Sequence, residues 1–278
     1  MKWDLGRRGG VEDRRGLSGG AIAGGGGIGV IVIALIGYFL GVDPQQLTQI
    51  VNQAQGPAQQ QAGVEGTPTD EEGAFADVVH TSANDVWAQI FQQTGRTYRP
   101  STVVLYTEGT STGCGYGQAA MGPFYCPADE RVYLDLNFFQ TLDTQMGAGG
   151  DFAKAYVIGH EVGHHVQNVL GLSQRVQNAQ GRLSEAEGNK LSVKLELQAD
   201  CYAGIWARQS NDQLNWLESG DLDEALRAAS AVGDDTLQKR STGSVVPDSF
   251  THGSSAERMQ WFKTGYNSGD PDACDTFG

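Results

Sequence analysis

Positive charge is scarce in this 278-residue chain: 19 lysines and arginines stand against 33 aspartates and glutamates, a net charge of −14. So acidic a surface repels phosphate backbones, which excludes nucleic acid as an expected partner. Cysteine is limited to Cys114, Cys126, Cys201 and Cys274, and none of them forms a C-x-x-C pair. That spacing argues against a structural zinc site made of thiolates. Internal repeats are lacking. Histidine occurs five times, and three of the five are crowded into "HEVGHH", residues 160–165.

There is a single long apolar run, "AIAGGGGIGVIVIALIGYFLGV", residues 21–42. It carries no charge and is long enough to cross a bilayer as a helix. Arg7, Arg8, Arg14 and Arg15 precede it and Asp43 follows. The positive-inside rule then predicts a cytoplasmic N-terminus with the rest of the chain outside the cytoplasmic membrane. The run exceeds a usual signal core and no small-residue cleavage site follows it cleanly, so the expectation is an uncleaved single-pass anchor. Residues 43–72 are rich in Gln, Gly and Pro and bury too little apolar surface to order themselves. The predicted organisation is a basic cytoplasmic segment over 1–20, a transmembrane anchor over 21–42, a disordered linker over 43–72 and a folded domain over 73–278.

All four cysteines fall in that domain. On the oxidising side of the membrane an even count favours two disulfides. Of the three pairings, Cys114–Cys126 closes a Gly-rich loop and Cys201–Cys274 ties the C-terminal tail to a helix; these two are the expected pair.

The domain reads as α+β, mostly helical with a small sheet. Apolar spacing at Phe75, Val78 and Val79, and again at Val86 and Ile90, predicts two helices, the second capped by Ser82 or Asn84. His80 between them has no partner at ligand spacing and reads as a surface or packing residue. "STVVLYTEG" is a strand, "CGYGQAAMGPFYCP" a loop, and "RVYLDLNFF" a half-buried strand with Val132, Leu134 and Leu136 on its inner face. From Asp151 onward the pattern is helical, with Asp151 as the expected cap of a helix ending before Gly171.

On that helix His160 and His164 are four residues apart and share a face. Two imidazoles one turn apart can bind one Zn²⁺ through bonds of about 2.0–2.1 Å. Glu161 lies about 100° around the helix and is placed to take a proton from water beside the metal. Gly163 leaves room for close packing against a strand. His165 points away from His164 and reads as structural or solvent-facing.

A third ligand is needed. In "KLELQADCYAGIWARQ", Glu196 and Asp200 again sit four apart on one helical face. Glu196 supplies a carboxylate oxygen, and Asp200 accepts the far N–H of a ligand histidine and fixes its tautomer. An ordinary solvated acidic face is the competing account of "ELQAD". Its conjunction with an H-E-x-x-H on the preceding helix favours the site.

"HEVGHH" followed by "ELQADCYAGIWA" resembles the gluzincin arrangement of zinc metallopeptidases. With "CGYGQAAMGPFYCPADERVYLDLNFF", "GDDTLQ" and "PDSFTHGSSAERMQWFKTGYNSGDPDACDTF", the chain closely resembles the bacterial putative neutral zinc metallopeptidase family over nearly its whole length. The resemblance implies a zincin-like fold, one Zn²⁺ per chain held by His160, His164 and Glu196, Glu161 as the catalytic residue, and a protein or peptide substrate. "FTHGSSAER" is similar to a T-H-P-x-x-x-x-R stretch of membrane-bound gluzincins, with Gly253 in place of proline. It makes His252 the candidate donor to the developing oxyanion, with Tyr125 and Arg258 behind it. Against that, His252, Ser254 and Ser255 suffice as a helix cap, Arg258 as a salt-bridge partner, and Tyr125 as loop packing.

The expected activity is hydrolysis of peptide bonds by a membrane-anchored zinc endopeptidase. The substrate would be laid as an extra strand along "RVYLDLNFF" or "STVVLYTEG". A metal-stabilised, non-catalytic scaffold of the cell envelope is the alternative, as is an assembly module in which the glycine-rich span and the Gln-rich linker matter most. Glu161 argues against a scaffold, because a closed structural zinc site needs no base.

Overall fold

The computed structural model describes residues 1–16, 63–118 and 122–278. The predicted span 21–42 and the predicted linker as far as residue 62 lie outside these. Among the described residues no helix is long and apolar enough to cross a membrane.

The chain folds as α+β around one small mixed sheet. Its strands are β1 (Val11–Asp13), β2 (Val64–Gly66), β3 (Thr102–Tyr106), β6 (Phe124–Cys126) and β7 (Arg131–Asp135), in the order β2-β1-β3-β7-β6. β4 (Gly109–Thr112) and β5 (Gly115–Gln118) form a separate hairpin. The neighbours β1–β3 and β3–β7 are parallel, while β2 and β6 are antiparallel edges. The helices are α1 (Glu71–Gln93), α2 (Asn137–Thr144), α3 (Asp151–Val169), α4 (Leu172–Gln180), α5 (Glu185–Leu214), α6 (Asp221–Ala231), α7 (Asp234–Thr242) and α8 (Ser255–Ser268).

The first sixteen residues are not a separate segment. β1 lies between β2 and β3, with Glu12 opposite Val104 and Asp13 opposite Leu105. Val11 is buried in the main core, and Trp3 packs edge-on against Phe75 with ring centroids 5.8 Å apart. The domain boundary at residue 73 and the separate basic segment over 1–20 are therefore corrected: residues 1–16 and 63–72 belong to the same folded body as the rest. The short β1, with two acids in three residues, shows no alternation from which pairing can be read.

Several local expectations are also corrected. α1 is one continuous helix capped by Asp70, whose side chain accepts the Gly73 N–H. Ser82 and Asn84 start no second helix but face the interior, where Ser82 Oγ accepts the Trp206 indole N–H at 3.1 Å. β7 is buried on both faces, as an interior strand between parallel and antiparallel neighbours should be. Val132 and Leu134 join the main core, while Tyr133 stacks on Phe124 in a second small cluster with Val104, Tyr106 and Cys126. The loop "CGYGQAAMGPFYCP" contains β5 and β6. Asp151 is the first helical residue of α3 rather than its cap, and Glu224 of α6 accepts the Phe152 N–H at 3.0 Å instead.

Both expected disulfides form: Cys114–Cys126 with Cα atoms 5.8 Å apart, and Cys201–Cys274 at 5.7 Å. The second ties the C-terminal tail to the middle of α5.

Candidate metal centre

α3 and α5 lie against each other closely enough to share a site. They meet backbone to backbone at Gly163, where a Cβ would stand 2.9 Å from the carbonyl oxygen of Ala199. The residue does ease packing, but against helix α5 rather than against a strand. That approach sets Glu196 over the ring nitrogens of His160 and His164.

The three groups form a nearly equilateral triangle. His160 Nε2 is 3.1 Å from His164 Nε2. One oxygen of Glu196 is 3.2 Å from His160 Nε2 and the other is 3.2 Å from His164 Nε2. Ligand atoms bonded to one tetrahedral zinc at the usual lengths stand about 3.3 Å from each other.

The ring tautomers follow from the partners on the far side. His160 Nδ1 lies 2.8 Å from Asp200 Oδ1, a carboxylate oxygen that can only accept. His164 Nδ1 lies 2.9 Å from Gln167 Oε1, whose amide nitrogen in turn donates to the Leu195 carbonyl at 2.7 Å. Both Nδ1 atoms are thus donors, and both Nε2 atoms present lone pairs into the triangle. Two lone pairs and a carboxylate converging at this range repel each other unless a cation sits among them. The donor set, two imidazoles and one carboxylate, fits Zn²⁺.

Electrostatics point the same way. Burial opposes charge on His160, but Asp200 and Glu196 outweigh it and push its pKa up to about 10. His164 is raised as well: burial opposes it and Glu196 prevails. Glu196 is held well below the carboxylate range despite its burial, by His164 and His160. The pocket holds positive charge, which a metal supplies in competition with protons.

Asp200 is fully buried and held by Arg258, whose Nε donates to Oδ2 at 2.8 Å and whose Nη2 donates to Oδ1 at 3.0 Å. The hydroxyl of Tyr156 donates to the same Oδ1 at 2.5 Å. Arg258 thus acts as a buried positioning cation one step behind the candidate ligands, nearer the salt-bridge account than the oxyanion one. Sequence reasoning missed Tyr156 and Gln167. Both were findable: Tyr156 lies four residues before His160, and Gln167 three after His164, on the same helix.

Glu161 is buried beside the triangle, and its carboxylate has no protein hydrogen-bond partner among the described residues. Burial raises its pKa, with His160 and His164 opposing. A base poised closer to neutrality and left unpaired is suited to proton transfer with water.

The loop before α8 carries His252, which is half-exposed. Its Nδ1 lies 3.2 Å from Asp234 Oδ1. The other oxygen, Asp234 Oδ2, accepts the backbone N–H groups of Thr251, His252 and Gly253 at 2.8, 2.7 and 3.0 Å. The hydrogen bond to Asp234 raises the pKa of His252, and Glu196 adds to it through charge. Gly253 has φ +92° and rests against Leu197, next to Glu196. Proline, fixed near −65°, cannot replace it, which accounts for glycine here. The helix cap is Ser254, in a capping box with Glu257, so capping leaves the His252 ring free.

His165 is fully buried: its Nε2 donates to the Arg99 carbonyl at 2.6 Å, and its Nδ1 accepts from the Tyr125 hydroxyl at 3.0 Å. Tyr125 also accepts from Asn168 at 3.0 Å, so it pins β6 to α3 rather than facing an oxyanion. His80 is buried too, 2.9 Å from Ser101 Oγ, and is a packing residue.

Among the described residues, His160, His164 and Glu196 are the one group whose ligand atoms converge closely enough to hold a metal ion. The chain belongs to the family described as putative neutral zinc metallopeptidase, whose model matches residues 1–277. It is 49% identical over 290 residues to "Uncharacterized protein YpfJ" of Escherichia coli strain K12, covering 100% of this chain and 99% of that one. It is also 49% identical over 184 residues to "Uncharacterized protein Rv2575" of Mycobacterium tuberculosis strain H37Rv, covering 62% of this chain and 61% of that one. No solved structure matches it.

Proposed function

We propose that this chain is a zinc-dependent endopeptidase with His160, His164 and Glu196 as metal ligands and Glu161 as general base. The observation that carries the reading is the triangle of two Nε2 lone pairs and a carboxylate, with the unpaired Glu161 at its side. When bound, the zinc polarises a peptide carbonyl and makes water easier to deprotonate. Glu161 takes the proton from the attacking water and delivers it to the departing nitrogen. His252, turned by Asp234, donates to the carbonyl oxygen as it gains charge. Asp200, Tyr156 and Arg258 hold the His160 ring at fixed tilt and tautomer throughout.

An extended peptide can join only at a free sheet edge. Both strands named from the sequence, β3 and β7, are interior, so neither offers one. The edge that lies on α3 is β6, fastened there by Tyr125. We place the substrate strand along it. The two disulfides support work in an oxidising compartment outside the cytoplasm.

The test uses the full chain, because residues 1–16 complete the sheet. Metal content and hydrolysis of an unfolded protein such as casein are measured with and without chelator, beside Glu161→Gln. One zinc per chain, with activity lost to chelator and to the variant, is expected. A Glu161→Gln protein that still cleaves would remove Glu161 from its role. A chain that binds no metal would end the reading altogether.

A further inference from the structure

The topology of the sheet bears on how the chain meets a membrane. β1 and β2 are antiparallel neighbours, with Asp13 opposite Val64. The described residues on either side of the gap at 17–62 are therefore brought side by side; the Gly63 N–H donates to Glu12 Oε1 at 3.0 Å. β1 is also bonded along its other edge to β3, and Arg14 N–H donates to the Leu105 carbonyl at 2.7 Å. The segment before β1 is fastened by side chains as well. Gly9 and Gly10 donate to the buried Asp77 at 3.0 and 2.9 Å, and Lys2 N–H donates to the Trp216 carbonyl at 2.8 Å.

A sheet cannot be shared across a bilayer. Residues on both sides of the gap belong to one sheet, so the chain between them must cross an even number of times. Only one run in it, residues 21–42, is apolar enough to cross; residues 43–62 include eight glutamines and have no second such run. Returning those glutamines through hydrocarbon would strand their amides without partners.

The arginines that argued for a cytoplasmic N-terminus are engaged in the fold. Arg7 Nε donates to Asp85 at 2.7 Å, and Arg8 donates to the Pro68 carbonyl at 2.6 Å. Arg14, buried, pairs with Glu12 at 2.7 Å and donates to Thr110 Oγ1 at 2.8 Å. Arg15 pairs with Asp13 and Asp70, each at 2.7 Å. These arginines are thus part of the folded body rather than a free basic flank.

We infer that residues 1–16 and 63–278 lie on the same side of the membrane, so that the chain between them makes no net crossing. Any lipid contact of the apolar run is then made from the side that carries the candidate metal centre. This replaces the single-pass orientation, with the N-terminus inside and the domain outside, and it stands whether or not the centre is a peptidase.

The experiment takes the full chain in membranes and compares Leu5→Cys with Leu183→Cys. These two side chains are 51% and 43% exposed, so each new thiol reaches solvent. A membrane-impermeant maleimide is applied to right-side-out and to inverted vesicles. Both variants should label in the same vesicle orientation. Labelling in opposite orientations, or a mature chain that lacks residues 1–16, would overturn the inference. As an independent check, Asp13→Cys combined with Val64→Cys should oxidise to a disulfide within one chain in intact membranes. Failure of that link in protein that keeps its two native disulfides would also overturn it.

Discussion

Gly163 and Ala199 meet backbone to backbone: a Cβ on Gly163 would lie 2.9 Å from the Ala199 carbonyl and 3.1 Å from its Cα. Ala199 is the neighbour of Asp200 and three residues beyond Glu196. Gly163→Ala has no flexible side-chain end to displace, so α3 and α5 must separate. Glu196 then withdraws from the two imidazoles. Metal affinity should fall by at least about tenfold, as it does when groups supporting metal ligands are disturbed. Zinc competition against a chromogenic chelator measures it, and unchanged affinity would detach the helix contact from the site.

The pH profile should report His252. Its pKa is raised chiefly by the hydrogen bond to Asp234, so the imidazolium survives above its ordinary range and is lost as pH rises through the raised value. Peptidase activity should fall on the alkaline side at that point. Asp234→Asn should move the alkaline limb to lower pH, and His252→Ala should abolish the limb and lower kcat by about 10²-fold. An alkaline limb that ignores both substitutions would leave His252 outside the reaction.

Acid should destabilise the fold through His80. Burial pushes its pKa down to about 3, well below the roughly 6.5 of an unfolded histidine. Between those values the unfolded chain binds the extra proton, so stability falls as pH drops through that window. The slope is on the order of 1 kcal/mol per pH unit. Chemical denaturation of the full chain and of His80→Gln across this range should show a flatter slope in the variant.

The tail is held by the Cys201–Cys274 disulfide, which closes a loop of 73 residues. Replacing both cysteines by serine should cost about 4 kcal/mol, the loop-closure figure for that length. The reading is a drop in thermal midpoint larger than that for the Cys114–Cys126 pair, whose loop spans only 12 residues. Equal drops would mean that the tail is fixed by packing alone.

The sequence revealed the centre because each half of it is local. His160 and His164 share one helix, Glu196 and Asp200 another, and a spacing of four is enough to put each pair on a face. That the two faces meet required Gly163, and there the partner was misread as a strand. Strand order is a nonlocal property: nothing in "RVYLDLNFF" shows that β6 will cover its outer edge. The N-terminus was hardest to read. Its arginines resemble membrane-flanking charge until Asp85 on α1 and Asp70 at its cap are seen to pair with Arg7 and Arg15.

Arg258 closes the site from the far end of the chain. The ligands and Asp200 precede it by more than fifty residues, yet Asp200 acquires its cation only when α8 has docked. On a growing chain the three ligands therefore exist before the group that orients them. A chain ended at Gly253 should take up zinc poorly even though no ligand is missing. The order in which the chain is made therefore leaves Asp200 without its buried cation until the last helix is in place.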